Sequence, residues 1–232
     1  MAIDEKDVLK IGMDAAVKPF ANLLERLFGG AVDQIGGGWE DRLKARRYVR
    51  LVKLYAKIQD RLDEAGIDPH EIPEKIWVPA LQAASLEDAE TLQDKWACLL
   101  ANAASPAATV HPAFVEILNA MAPLDAVVLD ETYKCLLLEM KSKGNFQIVF
   151  LENKAMQEVL KKAFQNGADA SLENLTRLRL VEAVPEWLDE SSVRSRPVHR
   201  YYITRLGHDF YLACQPPKLQ ESLRGQAPFG GL

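Results

Sequence analysis

The order of residue patterns after Pro123 constrains this fold most. Leu124 to Lys141 has helical spacing, Gly144-Asn145 reads as a turn, and Phe146-Gln147-Ile148-Val149-Phe150 is a run of aromatic and β-branched residues suited to a strand. A helix from about Asn153 to Phe164 follows. After an Asn166-Gly167 turn comes a helix opened by Ser171, with Leu172, Leu175 and Leu178 on one face. Val181 to Leu188 and Val198 to Thr204 read as strands flanking the polar loop Asp189 to Pro197, and Leu206 to Cys214 closes as a helix. That order predicts a winged-helix-like unit, α-helical with a small antiparallel sheet.

Before Pro123 only helical patterns occur. Phe20, Leu23, Leu24, Leu27, Phe28, Ala31 and Ile35 form an amphipathic stripe within residues 8–35, which the glycines Gly36 to Gly38 break as a hinge. From Trp39 to about Ala65, Leu43, Leu51, Leu54, Ile58 and Leu62 share a second stripe that stops at Gly66. The prolines between Pro69 and Pro79 predict only turns or a short helix. Ser85 with Asp88 then reads as a capping signal for a helix to about Ala104, and His111-Pro112 opens another through Met121. The chain is therefore expected to be mainly α: residues 1–38 as an N-terminal helix and hinge, 39–122 as a helical domain, 123–215 as the winged-helix-like domain, and 216–232 as a flexible tail.

Hydrophobic residues at 48% and charged residues at 26% give such a chain enough apolar surface for a core. A net charge of −5 argues against coating nucleic acid or anionic lipid with the whole surface, which draws on summed positive charge. The three cysteines, Cys98, Cys135 and Cys214, are widely spaced among apolar residues and read as buried free thiols of a reducing compartment. The opening MAIDEKDVLK lacks the basic start and apolar run of a secretory leader, so a cytoplasmic location is expected. The uncharged stretch between Lys95 and Glu116 contains Asn102, Ser105, Pro106, Thr109, His111 and Pro112, and reads as a buried helix followed by a turn.

No GxxxxGK[ST], GxGxxG, GxSxG or HExxH motif occurs, so no catalytic residue or cofactor is expected. His70, His111, His199 and His208 stand apart and no Cys-x-x-Cys exists, which predicts no metal site. Charge offers more. Arg42, Arg46, Arg50, Lys53 and Lys57 recur every three or four residues along one helix and make a positive ridge, either a phosphate-contacting face or a solvated one paired with Glu40, Asp60, Asp63 and Glu64. In a DNA-reading winged helix the third helix enters the major groove and the wing touches the backbone. Here those elements offer Asn174 and Arg177, then Arg194, Arg196, His199 and Arg200 on the wing, although Glu173 would repel phosphates.

Several segments together resemble the abortive infection alpha family of bacterial proteins. They are the glycine-rich Gly29 to Gly38, Ile76-Trp77-Val78-Pro79-Ala80-Leu81 leading into Ala84-Ser85, and Trp96-Ala97-Cys98-Leu99-Leu100-Ala101-Asn102-Ala103. Asn174-Leu175-x-x-Leu178-x-Leu180-Val181-Glu182 and Tyr202-Ile203-Thr204-x-Leu206-Gly207-x-x-Phe210 agree with that family's closing stretch. The resemblance implies phage resistance and brings no catalytic residues with it. The expected function is a non-enzymatic defence protein that contacts a phage or host component, with a protein as partner. The alternatives are a DNA-binding regulator using the arginines above and, third, a membrane-perturbing effector acting through residues 8–35, against which the mixed charges flanking its stripe argue. The same stripe would suit a homo-oligomer. In the signature phrase, Trp96, Leu99, Leu100 and Ala103 share one helical face, which predicts core, and Asn102 is expected to hydrogen-bond a neighbouring loop.

Overall fold

The computed structural model describes residues 21–28, 41–106, 108, 110–143, 151–152, 168–186 and 198–219. The described residues form two compact units, one drawn from the stretches before residue 121 and from residue 213 on, the other from the stretches between 121 and 212. The chain is mainly helical with a small antiparallel sheet.

The first unit contains α1 (Ala21–Phe28), α2 (Asp41–Ala65), α3 (Glu74–Leu86), α4 (Glu90–Ala103) and α5 (Ala113–Asn119). The stripe of α2 points inward: Leu54, Ile58 and Leu62 are at most 1% exposed, and α2 packs on α3 and α4, whose Trp77, Leu81, Leu92 and Trp96 are buried as well. Burial of each such side chain contributes about 1.5–3 kcal/mol. Gly66 ends α2 with φ +63°, its own N–H reaching the Asp63 carbonyl at 3.1 Å while Ile67 N–H reaches that of Leu62 at 3.0 Å. This left-handed closure satisfies the last carbonyls, as the sequence predicts. Leu23 and Leu27 of α1 are buried, and the Leu27 carbonyl accepts from Ile72 N–H at 2.8 Å, so this part of the first amphipathic stripe packs inside the unit.

Two local expectations are corrected. Pro79 lies inside α3 instead of confining it, because Pro73 occupies the N-cap, where no N–H is needed, and Ile76, Trp77, Ala80, Leu81 and Ala84 bury enough apolar surface to hold the helix together. Ser85 does not cap α4. It is the penultimate residue of α3, donating its hydroxyl to the Gln82 carbonyl at 2.7 Å, while α4 starts after Ala89, whose N–H donates to Glu87 Oε1 at 2.8 Å.

The second unit contains α6 (Pro123–Lys143), β1 (Leu151–Glu152), α7 (Ala168–Arg177), β2 (Val181–Glu186), β3 (Val198–Ile203) and α8 (Arg205–Ala213) up to Leu212, the last residue of α8 belonging to the first unit. The sheet has the order β1-β3-β2, wholly antiparallel, with Val181 opposite Ile203 and Glu186 opposite Val198. Pro123 starts α6, and the carboxylate of Asp125 reaches back to Ala122 N–H at 2.7 Å, covering an orphan donor of the first turn. Ser171, expected to cap α7, lies buried inside it, since the helix already begins at Ala168. The expected strand Phe146–Phe150, the helix Asn153–Phe164 and the loop Asp189–Pro197 lie outside the described residues. No helix among the described residues is long and apolar enough to cross a membrane.

Candidate functional site

The basic ridge of α2 borders a cleft of about 360 Å³ in the first unit, lined by Arg46, Val49, Arg50, Lys53, Lys57, Glu87, Asp88, Glu90 and Gln93. The helical spacing of the cations brings four of the five predicted ridge residues together there; the side chain of Arg42 lies outside the described ones. Their acidic neighbours are not those expected. Glu87, Asp88 and Glu90 come from the α3–α4 connection and the start of α4, whereas Asp63 and Glu64 bond elsewhere on α2, to Gln59 and Arg61. Lys57 Nζ pairs with Glu90 and with Asp94 at 2.7 Å, and Arg50 lies 3.7 Å from Asp88. Burial opposes the charge on Lys57, but hydrogen bonds to Asp94 and Glu90 outweigh it and raise its pKa; the same contact with Lys57 lowers that of Glu90. Arg47, off the ridge, donates from Nε to Ser85 Oγ at 2.8 Å and so tethers α2 to α3. The signal that could have found the acidic wall is the run Glu87-Asp88-Ala89-Glu90, complementary to a basic helix.

Asn174 and Arg177 sit together on α7, but facing one another. Asn174 donates from Nδ2 to Asp125 Oδ2 at 2.6 Å, while its Oδ1 accepts from Arg177 Nε at 3.0 Å and Nη2 at 2.7 Å. The same Asp125 oxygen caps α6, so one chain of bonds links the start of α6 to the end of α7. The exposed residues of α7 include Asp169 and Glu173. Arg200 stands on β3 opposite Val184 and Glu152 in the strand register, its side chain outside the described set, as are residues 194 and 196.

A buried aromatic cluster occupies the interior of the second unit. The Tyr133 hydroxyl is 2.7 Å from His208 Nδ1, and the Tyr133 ring stacks on Tyr211 with centroids 3.7 Å apart. Burial lowers the pKa of His208 and raises those of both tyrosines, so the imidazole is held neutral beside un-ionised phenols. Cys98 and Cys214 are buried and in no disulfide; burial pushes Cys98 up to about 11, which leaves it unreactive at neutral pH. Among the described residues no cluster of His, Cys, Asp and Glu is arranged to hold a metal.

Asn102 meets the expectation from the signature phrase. Fully buried, it donates from Nδ2 to the carbonyls of Ala213 at 2.9 Å and Gln215 at 2.8 Å, fixing a segment more than a hundred residues away in sequence. Trp96, Leu99 and Leu100 beside it are core residues.

Residues 46–214 match the family model described as abortive infection alpha, and on that match the chain belongs to this family. No curated protein and no solved structure matches it.

Proposed function

Starting from its membership of the abortive infection alpha family, we propose that this chain is a non-enzymatic phage-defence protein of the bacterial cytoplasm that grips a phage or host protein. Its second unit, folded as a winged helix, is the platform. The antiparallel pairing of β2 with β3 and the helix that follows support that fold. The observation that carries the choice of partner is the state of Asn174: both ends of its carboxamide are already bonded, to Asp125 and Arg177, so the helix that would read a major groove has its amide turned to its own unit. Exposed Asp169 and Glu173 on the same helix repel phosphates and suit a protein surface of opposite charge.

Phage plating on bacteria expressing the chain tests this. Asp169→Lys with Glu173→Lys is expected to abolish protection while leaving the circular dichroism spectrum unchanged. Duplex-DNA binding is expected to stay weaker than about 100 μM at physiological salt, the weak end of non-specific binding. Micromolar affinity with a steep salt slope, lost on Arg194→Ala plus Arg196→Ala, would overturn the reading in favour of a DNA-binding regulator.

A further inference from the structure

One atom beside the cleft of the first unit has no explanation within the fold. Gln93 is 6% exposed, and its Nε2 donates to the carbonyls of Ala84 at 2.7 Å and Glu87 at 2.9 Å. Those two acceptors fix the carboxamide, because a flip would set Oε1 against both carbonyls. Oε1 is thereby held buried with no donor to meet it. A buried acceptor in that state carries its full desolvation cost, and a ligand donor would relieve it.

The surrounding charge indicates what else such a ligand carries. Four cations face three carboxylates across the lining. The carboxylates are largely engaged: Glu87 receives Ala89 N–H, Glu90 is paired with Lys57, and Asp88 lies near Arg50. Lys53 is exposed and makes no ion pair among the described residues, although its charge is felt at Glu90. The first turn of α4, whose N–H groups favour an anion, contributes Glu90 and Gln93 to the same lining. At about 360 Å³ the cleft has room for a small metabolite.

We infer that this cleft binds a small phosphomonoester bearing a hydroxyl or amino donor, a phosphorylated sugar or nucleoside. The phosphate sits among Arg46, Arg50 and Lys53, where guanidinium forks and an ammonium suit its oxygens, and the donor meets Gln93 Oε1. This ligand site does not depend on the proposed protein contact.

Isothermal titration of the full chain with inorganic phosphate, ribose 5-phosphate and AMP tests the inference. At least one ester is expected to bind at least about tenfold more tightly than inorganic phosphate, because only an ester supplies the donor. If both esters show the preference, the donor is a sugar hydroxyl; if AMP alone does, it is the base amine. Lys53→Gln, an exposed change that leaves the fold intact, is expected to weaken every phosphate ligand about fivefold or more, and Gln93→Leu to erase the preference for the ester. Absence of ester binding at millimolar concentration, equal affinity for inorganic phosphate, or indifference to Lys53→Gln would each overturn it. Should Gln93→Leu fail to fold, Lys53→Gln still decides.

Discussion

Gly207→Ala sets helix propensity against tertiary packing, and the two predict opposite signs. Gly207 is the third residue of α8, where alanine is favoured over glycine by about 1 kcal/mol on propensity alone. The structure predicts a loss. A Cβ at this position would lie 2.0 Å from the Leu180 carbonyl oxygen, 2.8 Å from its carbon and 3.0 Å from its Cα. These are backbone atoms that cannot rotate away. Leu180 is held by its N–H bond to the Leu175 carbonyl at 3.0 Å, and its own carbonyl accepts from Thr204 N–H at 3.1 Å.

Ordinary contact begins at 3.4 Å, so α8 would have to withdraw by about 1.4 Å. That movement costs about 1–3 kcal/mol as overpacking. It also strains the Thr204 cap, whose Oγ1 accepts from Gly207 N–H at 2.9 Å, a bond worth about 1 kcal/mol. Subtracting the propensity gain leaves a net destabilisation of about 1–3 kcal/mol. Urea denaturation followed by circular dichroism, with amide exchange resolved by peptide, measures it: exchange is expected to rise in α8 and around Leu180, but not in α2 or α4. A gain of about 1 kcal/mol, the propensity sign, would refute the close approach on which the reasoning stands.

Arg179 takes φ +59° at the end of α7, the same left-handed closure that Gly66 makes for α2, so Arg179→Gly is expected to raise stability by about 0.5–1 kcal/mol, read as a higher urea midpoint. Asn102→Leu keeps the volume but removes the donor to the buried carbonyls of Ala213 and Gln215. A loss of about 2–4 kcal/mol is expected in thermal denaturation, and an unchanged melting temperature would mean the clamp contributes nothing. For His208, burial lowers the folded pKa below the ordinary 6.5, with Asp209 raising it and Arg205 lowering it by smaller amounts. The unfolded chain therefore takes up the proton first. The stability that the neutral imidazole contributes is complete above pH 6.5 and is lost as pH falls below it toward the folded value. Denaturation midpoints are expected to drop as the pH is lowered below 6.5, and the part of that drop due to this group should disappear in His208→Gln.

What the sequence made legible is what depends on local spacing. The inward face of α2, its stop at Gly66, the strands β2 and β3 and the buried Asn102 follow from periodicity, glycine chemistry or β-branched runs, each carried by residues close in the chain. The misreadings share one cause. Pro79 stays inside α3 and Ser85 serves Gln82 and Arg47 instead of a cap, because packing and a partner 38 residues away outweigh local preference. The ridge was visible as a row of cations, but the acids facing it come from another helix and its approach, and no single-helix pattern reveals that meeting. Gly207 had no local reason at all, since its need is set by the Leu180 backbone.

This division bears on what the family likeness reports. Its most specific phrase, Trp96 to Ala103, supplies core side chains and the Asn102 clamp; Gly207 and Thr204 in the closing phrase serve the approach of α8 to Leu180. These residues are required by packing, so a chain recognised through them shares a shape, and a shape hosts many functions. The groups that the proposed ligand would meet lie elsewhere: neither Lys53 nor Gln93 belongs to those stretches, and the bonds of Gln93 to Ala84 and Glu87 hold the α3–α4 connection while its Oε1 is left over. If Asn102→Leu abolishes phage protection, the loss should track unfolding and return at lower temperature. If Lys53→Gln abolishes protection, that loss should persist in a fully folded protein at every temperature, because the change removes a contact and leaves the scaffold unchanged.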